Sequence, residues 1–158
     1  MMKKLSLFLA VLVLLPLLAV PAWAEEMDYQ GMDLDYYTRY RGQGRSINVY
    51  NWGEYISDGS DDSLNVNKAF EELTGIKVVY STFDTNESLY AKLKTGGSSY
   101  DVIIPSDYMI ARMIEEGMLL PLDLGNIPNF ATHINPRYKD QSYDPGNRYS
   151  VPYTWGTV

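Results

Sequence analysis

Three short β-rich runs alternate with three amphipathic stretches between residues 47 and 117, and this alternation limits the possible folds more than any other feature. The runs are residues 47–50, 76–81 and 101–105. Each amphipathic stretch repeats apolar residues at helical spacing and ends at a glycine, which helices favour just after their last turn (Gly75, Gly96 and Gly117). Strands that alternate with helices are typical of βαβ units. The pattern predicts an α/β lobe with a parallel sheet flanked by helices.

Polar residues that can cap a helix precede each amphipathic stretch. Asp62 or Ser63 precedes the first, Asn86 the second, and Ser106 or Asp107 the third. Side-chain oxygens at such positions accept hydrogen bonds from the free backbone amides of the first turn. We therefore expect the three helices to begin at these points.

The sequence becomes irregular after the third stretch. Prolines recur at positions 121, 128, 136 and 145, which predicts a long meander over residues 123–148. Residues 149–155 then resume a strand-like pattern, which predicts one further strand.

The first 24 residues have the pattern of an export signal. Lys3 and Lys4 precede a nearly unbroken apolar run over residues 5–20, and Ala22 and Ala24 supply the small residues that cleavage requires. An uncleaved membrane anchor is the alternative, because the run is almost long enough to span a bilayer. Without cysteine there is no acceptor for a lipid on sulfur, so a lipoprotein is not expected. Residues 25–45 show no helical or strand period and are predicted to be a flexible leader.

The charge of the chain is strongly negative. Thirteen basic and 20 acidic residues give a net charge of −7, and removal of Lys3 and Lys4 with the signal makes it −9. An acidic chain without a basic stripe is not expected to bind nucleic acid, whereas its field attracts cations. The absence of cysteine and the single histidine exclude thiolate and multi-histidine metal sites, and no cofactor is expected.

Candidate site residues follow the predicted strands. In an open parallel sheet the ligand crevice lies at the carboxyl ends of the strands, so the segments after the three runs should converge. The first run leads to Trp52, Glu54 and Tyr55, and the third leads to Ser106 and Tyr108. Residues 82–87 follow the second run. A carboxylate can neutralise an ammonium group while aromatic faces attract it and cover its methylene groups. This combination suits an alkylammonium ligand.

Other motifs give weaker signals. Asp58, Asp61 and Asp62 do not fall in the register of a calcium loop and are predicted to be solvated loop charges. His133 has no acid or nucleophile at motif spacing. Residues 86–88 (Asn-Glu-Ser) match the N-glycosylation pattern, but the asparagine already has a predicted capping role. No phosphate loop, dinucleotide motif or nucleophile elbow is present, so no catalytic role is predicted, and a secreted enzyme is the alternative from another class.

Several separated blocks resemble bacterial spermidine/putrescine-binding proteins. They are NVYNWGEYI, LTGIKVVYSTFDTNESLYAKLKTG, YDVIIPSDYMIARM, EEGMLLPLD and YSVPYTWGT, in this order. The resemblance implies an extracytoplasmic receptor that binds polyamine between two α/β lobes of the type II periplasmic-binding-protein fold and delivers it to the membrane permease of an ABC importer. It implies no catalysis. The family's contacts from the first lobe fall on Trp52, Glu54, Tyr55, Ser106 and Tyr108.

The resemblance also leaves two matters open. Position 53 is Gly where some members carry Thr, so the preference between spermidine and putrescine is undecided, and a receptor for another cationic or small solute is the alternative. Members of the family are considerably longer than this chain. The resemblance therefore implies that residues 46–150 form the first lobe, that residues 151–158 begin the hinge crossover, and that the second lobe is absent.

Overall fold

The computed structural model describes residues 33–156, and the predicted signal at residues 1–24 lies outside them. Their strands are β1 (Ser46–Trp52), β2 (Lys77–Phe83) and β3 (Val102–Ile103). Their α-helices are α1 (Leu34–Thr38), α2 (Val66–Thr74), α3 (Asn86–Lys94), α4 (Asp107–Glu115) and α5 (Pro128–His133). Short 3-10 turns occur at Leu124–Asn126, Pro136–Tyr138 and Pro145–Asn147, within the predicted meander.

The three strands form one parallel sheet with β1 in the centre. Strand β2 pairs along the whole of β1, from Ser46 opposite Lys77 to Trp52 opposite Phe83. Strand β3 pairs with β1 on the other side, where Val49 lies opposite Val102. The predicted parallel sheet flanked by helices is confirmed, and all three predicted β-rich runs contribute to it.

The core lies between the sheet and helices α3 and α4. Tyr50 of β1 and Phe83 of β2 meet edge to face with ring centroids 5.0 Å apart. Leu89 of α3 and Met109 and Met113 of α4 pack on them, and Leu89 is fully buried. The apolar spacing that predicted α3 and α4 thus supplies the residues that fix both helices on the sheet.

The helix caps differ from the predicted ones at two positions. Helix α2 is capped by Asn65, whose side-chain oxygen accepts from the amide of Lys68 at 2.9 Å, and not by Asp62 or Ser63. Thr85 caps α3 in a reciprocal capping box with Ser88, so Asn86 is the first helical residue. The predicted cap of α2 lies too early in the chain and that of α3 one residue too late, because several polar residues stand near each helix start and the backbone geometry selects the one immediately before the first helical turn.

The segment before β1 contains a helix that the sequence did not predict. Helix α1 lies within the predicted leader. Arg41, which follows this helix in the leader, donates from its guanidinium to the carbonyls of Leu73 and Glu72 at 2.8 Å each. These carbonyls belong to the last turn of α2, where no intrahelical amide reaches them. Gly75, the glycine predicted to follow the last turn, is in the left-handed conformation with φ 73° and lies close beside Arg41.

The predicted strand over residues 149–155 is wrong. Residues 151–156 are irregular and pair with no strand among the residues described, and Pro152 has no N–H for a ladder bond. The turn just before them is held instead by the buried carboxylate of Asp144, which accepts from the amides of Arg148, Tyr149 and Ser150. Within residues 33–156, no helix is long and apolar enough to cross a bilayer.

Candidate functional site

An open cleft includes the carboxyl ends of β1 and β3 and extends back to residues 98–101, before β3. It is lined by the loop that follows β1, by the first turn of α4 and by residues 149–156. All five predicted site residues line it: Trp52, Glu54, Tyr55, Ser106 and Tyr108. The structure therefore brings together the segments that follow the first and third predicted strands. Residues 82–87, which follow β2 at the sheet edge, do not line the cleft.

Trp52 and Tyr55 form an aromatic wall on the β1 side. The Trp52 ring is half-buried, 4.6 Å from the ring of Phe83 and 5.8 Å from that of Tyr55, measured between centroids. Phe83 belongs to the core, so the indole is anchored from behind while Tyr55 remains about half exposed. Anchored rings of this kind can cover a methylene chain or attract a cation with little loss of side-chain entropy.

The Glu54 carboxylate is free to meet a ligand. Its side chain is exposed and makes no hydrogen bond or ion pair with any residue between 33 and 156. It stands in the loop between Trp52 and Tyr55, at the edge of the aromatic wall. A carboxylate without an internal partner can accept hydrogen bonds from an ammonium group without breaking an existing contact.

Ser106 and Tyr108 form the α4 side of the cleft, and both are held by residues of α3. Ser106 Oγ accepts from Asn86 Nδ2 at 3.0 Å, and the Ser106 amide donates to Asn86 Oδ1 at 3.0 Å. The Tyr108 hydroxyl donates to Glu87 Oε1 at 3.0 Å. Ser106 occupies the N-cap position of α4, as predicted, but makes no side-chain capping bond because its hydroxyl faces Asn86.

The charge of the cleft has one sign. Its lining includes five carboxylates and neither lysine nor arginine: Glu54, Asp58, Asp61, Asp101 and Asp107. The Asp101 carboxylate already has a partner in β1, because it accepts a hydrogen bond from the Asn48 amide at 2.7 Å. Asp58 accepts from the Ser60 amide at 2.8 Å, and this bond lowers the pKa of its carboxyl group. A lining with five carboxylates and neither lysine nor arginine favours a cation and repels an anion.

Tyr153 and Trp155 are among the aromatic residues of the cleft that were not predicted as site residues. The Tyr153 hydroxyl donates to the carbonyl of Tyr55, and the Trp155 ring stacks on that of Tyr138 with centroids 6.0 Å apart. Both side chains are more than half exposed. The sequence does contain a sign of these two residues, the aromatic run over residues 149–155, but that run was interpreted as a strand.

The residues of weaker motifs take ordinary positions. His133 is exposed at the end of α5 and lines the cleft. Asp61 and Asp62 lie in a turn with positive φ, at 51° and 59°. Among the residues that the structure covers, no three His, Asp or Glu side chains are grouped closely enough to hold a metal ion.

An α/β lobe whose strand ends open into an acidic and aromatic cleft is a ligand-binding module of the kind that receptors for small solutes use. The comparison with protein families agrees with this class. Residues 53–158 match the model of the bacterial extracellular solute-binding protein family, and the chain belongs to that family.

Relatives with known names bind polyamines. The chain is 43% identical over 114 residues to the spermidine/putrescine-binding periplasmic protein of Salmonella typhimurium, a match that covers 72% of this chain and 31% of the relative. It is 42% identical over 113 residues to the spermidine/putrescine-binding periplasmic protein 1 of Haemophilus influenzae, covering 70% of this chain and 29% of the relative. The predicted resemblance is confirmed.

Solved structures show the same likeness. A spermidine/putrescine ABC transporter protein of Listeria monocytogenes matches with TM-score 0.65 and 43% identity over 72% of this chain and 33% of its own. The substrate-binding protein of a spermidine/putrescine ABC transporter from Streptococcus pneumoniae matches with TM-score 0.64 and 44% identity, over 70% and 32%. The fold class is therefore confirmed, and the chain spans about a third of the length of these relatives.

Proposed function

We propose that this chain supplies the first ligand-binding lobe of a receptor that binds spermidine or putrescine outside the cytoplasm and delivers it to the permease of an ABC importer. The single observation that carries the proposal is the lining of the cleft, which contains five carboxylates and several aromatic rings but neither lysine nor arginine. The printed names of the relatives support the same ligand class. The predicted export signal at residues 1–24 supports a place outside the cytoplasm.

Each site residue has a distinct role in this proposal. Glu54 accepts hydrogen bonds from one ammonium group of the ligand, because its carboxylate has no partner within the described chain. Trp52 and Tyr55 cover the methylene groups and attract the same charge through their ring faces. On the other side, the Ser106 hydroxyl offers a further acceptor and the Tyr108 ring a second wall.

The receptor is proposed to bind and release its ligand unchanged. The residues of the cleft include no nucleophile with a base beside it, and the family is one of solute-binding proteins. A neutral solute would leave the negative charge of Glu54 uncompensated, and an anion would be repelled by it. A cationic solute other than a polyamine remains the alternative ligand, since Gly53 offers no side chain to discriminate.

The test is a ligand titration monitored by nuclear magnetic resonance. Putrescine and spermidine are added to the purified, ¹⁵N-labelled protein, and the uncharged diol with the carbon chain of putrescine serves as the matched control ligand. We expect the amide signals of Trp52, Glu54 and Tyr108 to shift with either polyamine and not with the diol. Equal shifts with the diol, or no shift at these amides, would refute the proposal.

A further inference from the structure

We propose that Asn86 and Glu87 are positioning residues: together they hold Ser106 and Tyr108 in the orientation that forms the α4 side of the cleft. The contact of those two residues with a polyamine rests on the proposed function, whereas their attachment to α3 does not. Asn86 and Glu87 lie outside the cleft lining, so neither is a ligand contact itself. Two adjacent residues at the start of α3 thus fix the orientation of two residues at the start of α4.

Asn86 makes a closed pair of hydrogen bonds with Ser106. Its amide nitrogen donates to Ser106 Oγ and its amide oxygen accepts from the Ser106 backbone, both at 3.0 Å. The side chain is only 5% exposed, so replacement of either bond by water is restricted. The pair fixes the hydroxyl rotamer of Ser106 and the backbone at the first turn of α4 at the same time.

This pair explains the Asn-Glu-Ser tripeptide at residues 86–88. An asparagine that is buried and bonded through both amide atoms is not available for glycosylation. Capping of α3 is performed by Thr85, whose Oγ1 accepts from the Ser88 amide at 3.0 Å. Because Thr85 and Ser88 satisfy the helix terminus, the side chains of Asn86 and Glu87 are left to reach across to α4.

Glu87 holds the ring of Tyr108 by its end. The Tyr108 side chain is 53% exposed and has no ring partner among residues 33–156, so burial alone does not fix its orientation. The 3.0 Å bond from its hydroxyl to Glu87 Oε1 supplies the missing restraint. A hydrogen bond to a carboxylate is among the stronger side-chain bonds, which makes it able to select one rotamer of an exposed tyrosine.

The first experiment needs no ligand. Three-bond coupling constants report the χ1 rotamer of Tyr108 in the labelled protein, and we expect one rotamer in the wild type and averaged values in Glu87→Ala. Glu87→Gln keeps an oxygen acceptor and should restore the single rotamer. The amide and hydroxyl environment of Ser106 should change in Asn86→Ala. An unaltered Tyr108 rotamer in Glu87→Ala would overturn the proposal.

The second experiment is a putrescine titration of the same variants. We expect Glu87→Ala to raise Kd about tenfold, the size expected for loss of one hydrogen bond to a charged group at an exposed position. In a Tyr108→Phe background the same substitution should change Kd by less than about twofold, because its effect passes through the tyrosine hydroxyl. An equal effect in both backgrounds would show that Glu87 acts by charge alone and would overturn its positioning role.

Thr85→Ala is the matched control for helix stability. It removes the cap of the same helix, so the melting temperature should fall, yet it touches neither Ser106 nor Tyr108, so Kd should stay within about twofold of the wild type. If the wild type binds no polyamine while the Tyr108 rotamer still responds to Glu87→Ala, the proposed function fails and the positioning role is supported.

Discussion

Replacement of Glu54 by glutamine should separate ligand binding from folding. The substitution keeps the shape of the side chain and removes its charge. Because the carboxylate is exposed and makes no hydrogen bond or ion pair with the described residues, the folded lobe loses no internal contact. We expect the free energy of unfolding to change by no more than about 0.5 kcal/mol, as at other surface positions without partners.

The effect on binding should be much larger. A hydrogen bond to a charged group contributes about 1.5–3 kcal/mol, which corresponds to a rise in Kd of about 10- to 100-fold. The lower end applies if the ammonium group stays in contact with water, because water screens the attraction. The rise should also shrink at high salt, since part of it is attraction between separated charges in an open cleft.

Calorimetric titration with putrescine and urea unfolding measure the two effects on the same samples. Glu115→Gln is the matched control: Glu115 is an exposed glutamate of α4 that does not line the cleft, so it removes an equal charge elsewhere. If Glu115→Gln weakens binding as much as Glu54→Gln, the overall charge and not the site attracts the ligand. A large loss of stability in Glu54→Gln would instead give Glu54 a structural role.

Three further substitutions test other parts of the structure. Trp52→Ala should weaken polyamine binding by about 2 kcal/mol, and it should also destabilise the lobe because the ring packs against the core. Titration measures the first effect and urea unfolding the second. An unchanged affinity would place the indole outside the site. Asp144→Ala leaves the backbone amides of Arg148, Tyr149 and Ser150 without their acceptor, so the free energy of unfolding should fall by about 2–4 kcal/mol. Urea unfolding measures this loss. An unchanged midpoint would contradict the role given to this carboxylate. The pKa of Glu116 is lowered from 4.5 to about 2, mainly by the hydrogen bond from Lys94, so its carboxylate stabilises the fold above its ordinary pKa and this gain is lost as the pH falls toward 2. Glu116→Gln should therefore lower the melting temperature at neutral pH, and its difference from the wild type should shrink as the pH falls from 4.5 through 2. A constant difference across that range would refute the assignment.

The sheet and its helices could be predicted because their signals are local and repeated. Alternating β-rich and amphipathic segments determine the strands, and buried residues such as Leu89 and Met113 stand where the helical period puts them. Helix ends that depend on a left-handed residue were also predictable, as at Gly75. The caps were less predictable, since several polar residues precede each helix and only geometry selects one, as it selects Asn65 over Asp62.

The site could be predicted only as far as the topology of the sheet determines it. Parallel strands bring Trp52 and Ser106 to one edge, and the sequence shows this without coordinates. The bonds from Asn86 and Glu87 to α4 join residues about 20 positions apart and have no periodic signature. The same holds for Tyr153, which reaches the Tyr55 carbonyl from an irregular segment that pattern alone assigned to a strand.

The approach of Arg41 to Gly75 has a consequence for how this sequence can change. A Cβ atom at position 75 would lie 2.7 Å from Arg41 Cα, and φ at that position is already in the left-handed region, so any other residue is excluded while the arginine backbone stays in place. Because the nearest atom is backbone, no change of side chain at position 41 relieves this contact, and loss of the glycine is tolerated only where the segment before β1 takes another path. Arg41 thus ties the segment before β1 to the end of helix α2, and we expect that either part grafted into a related lobe keeps its conformation only together with the other.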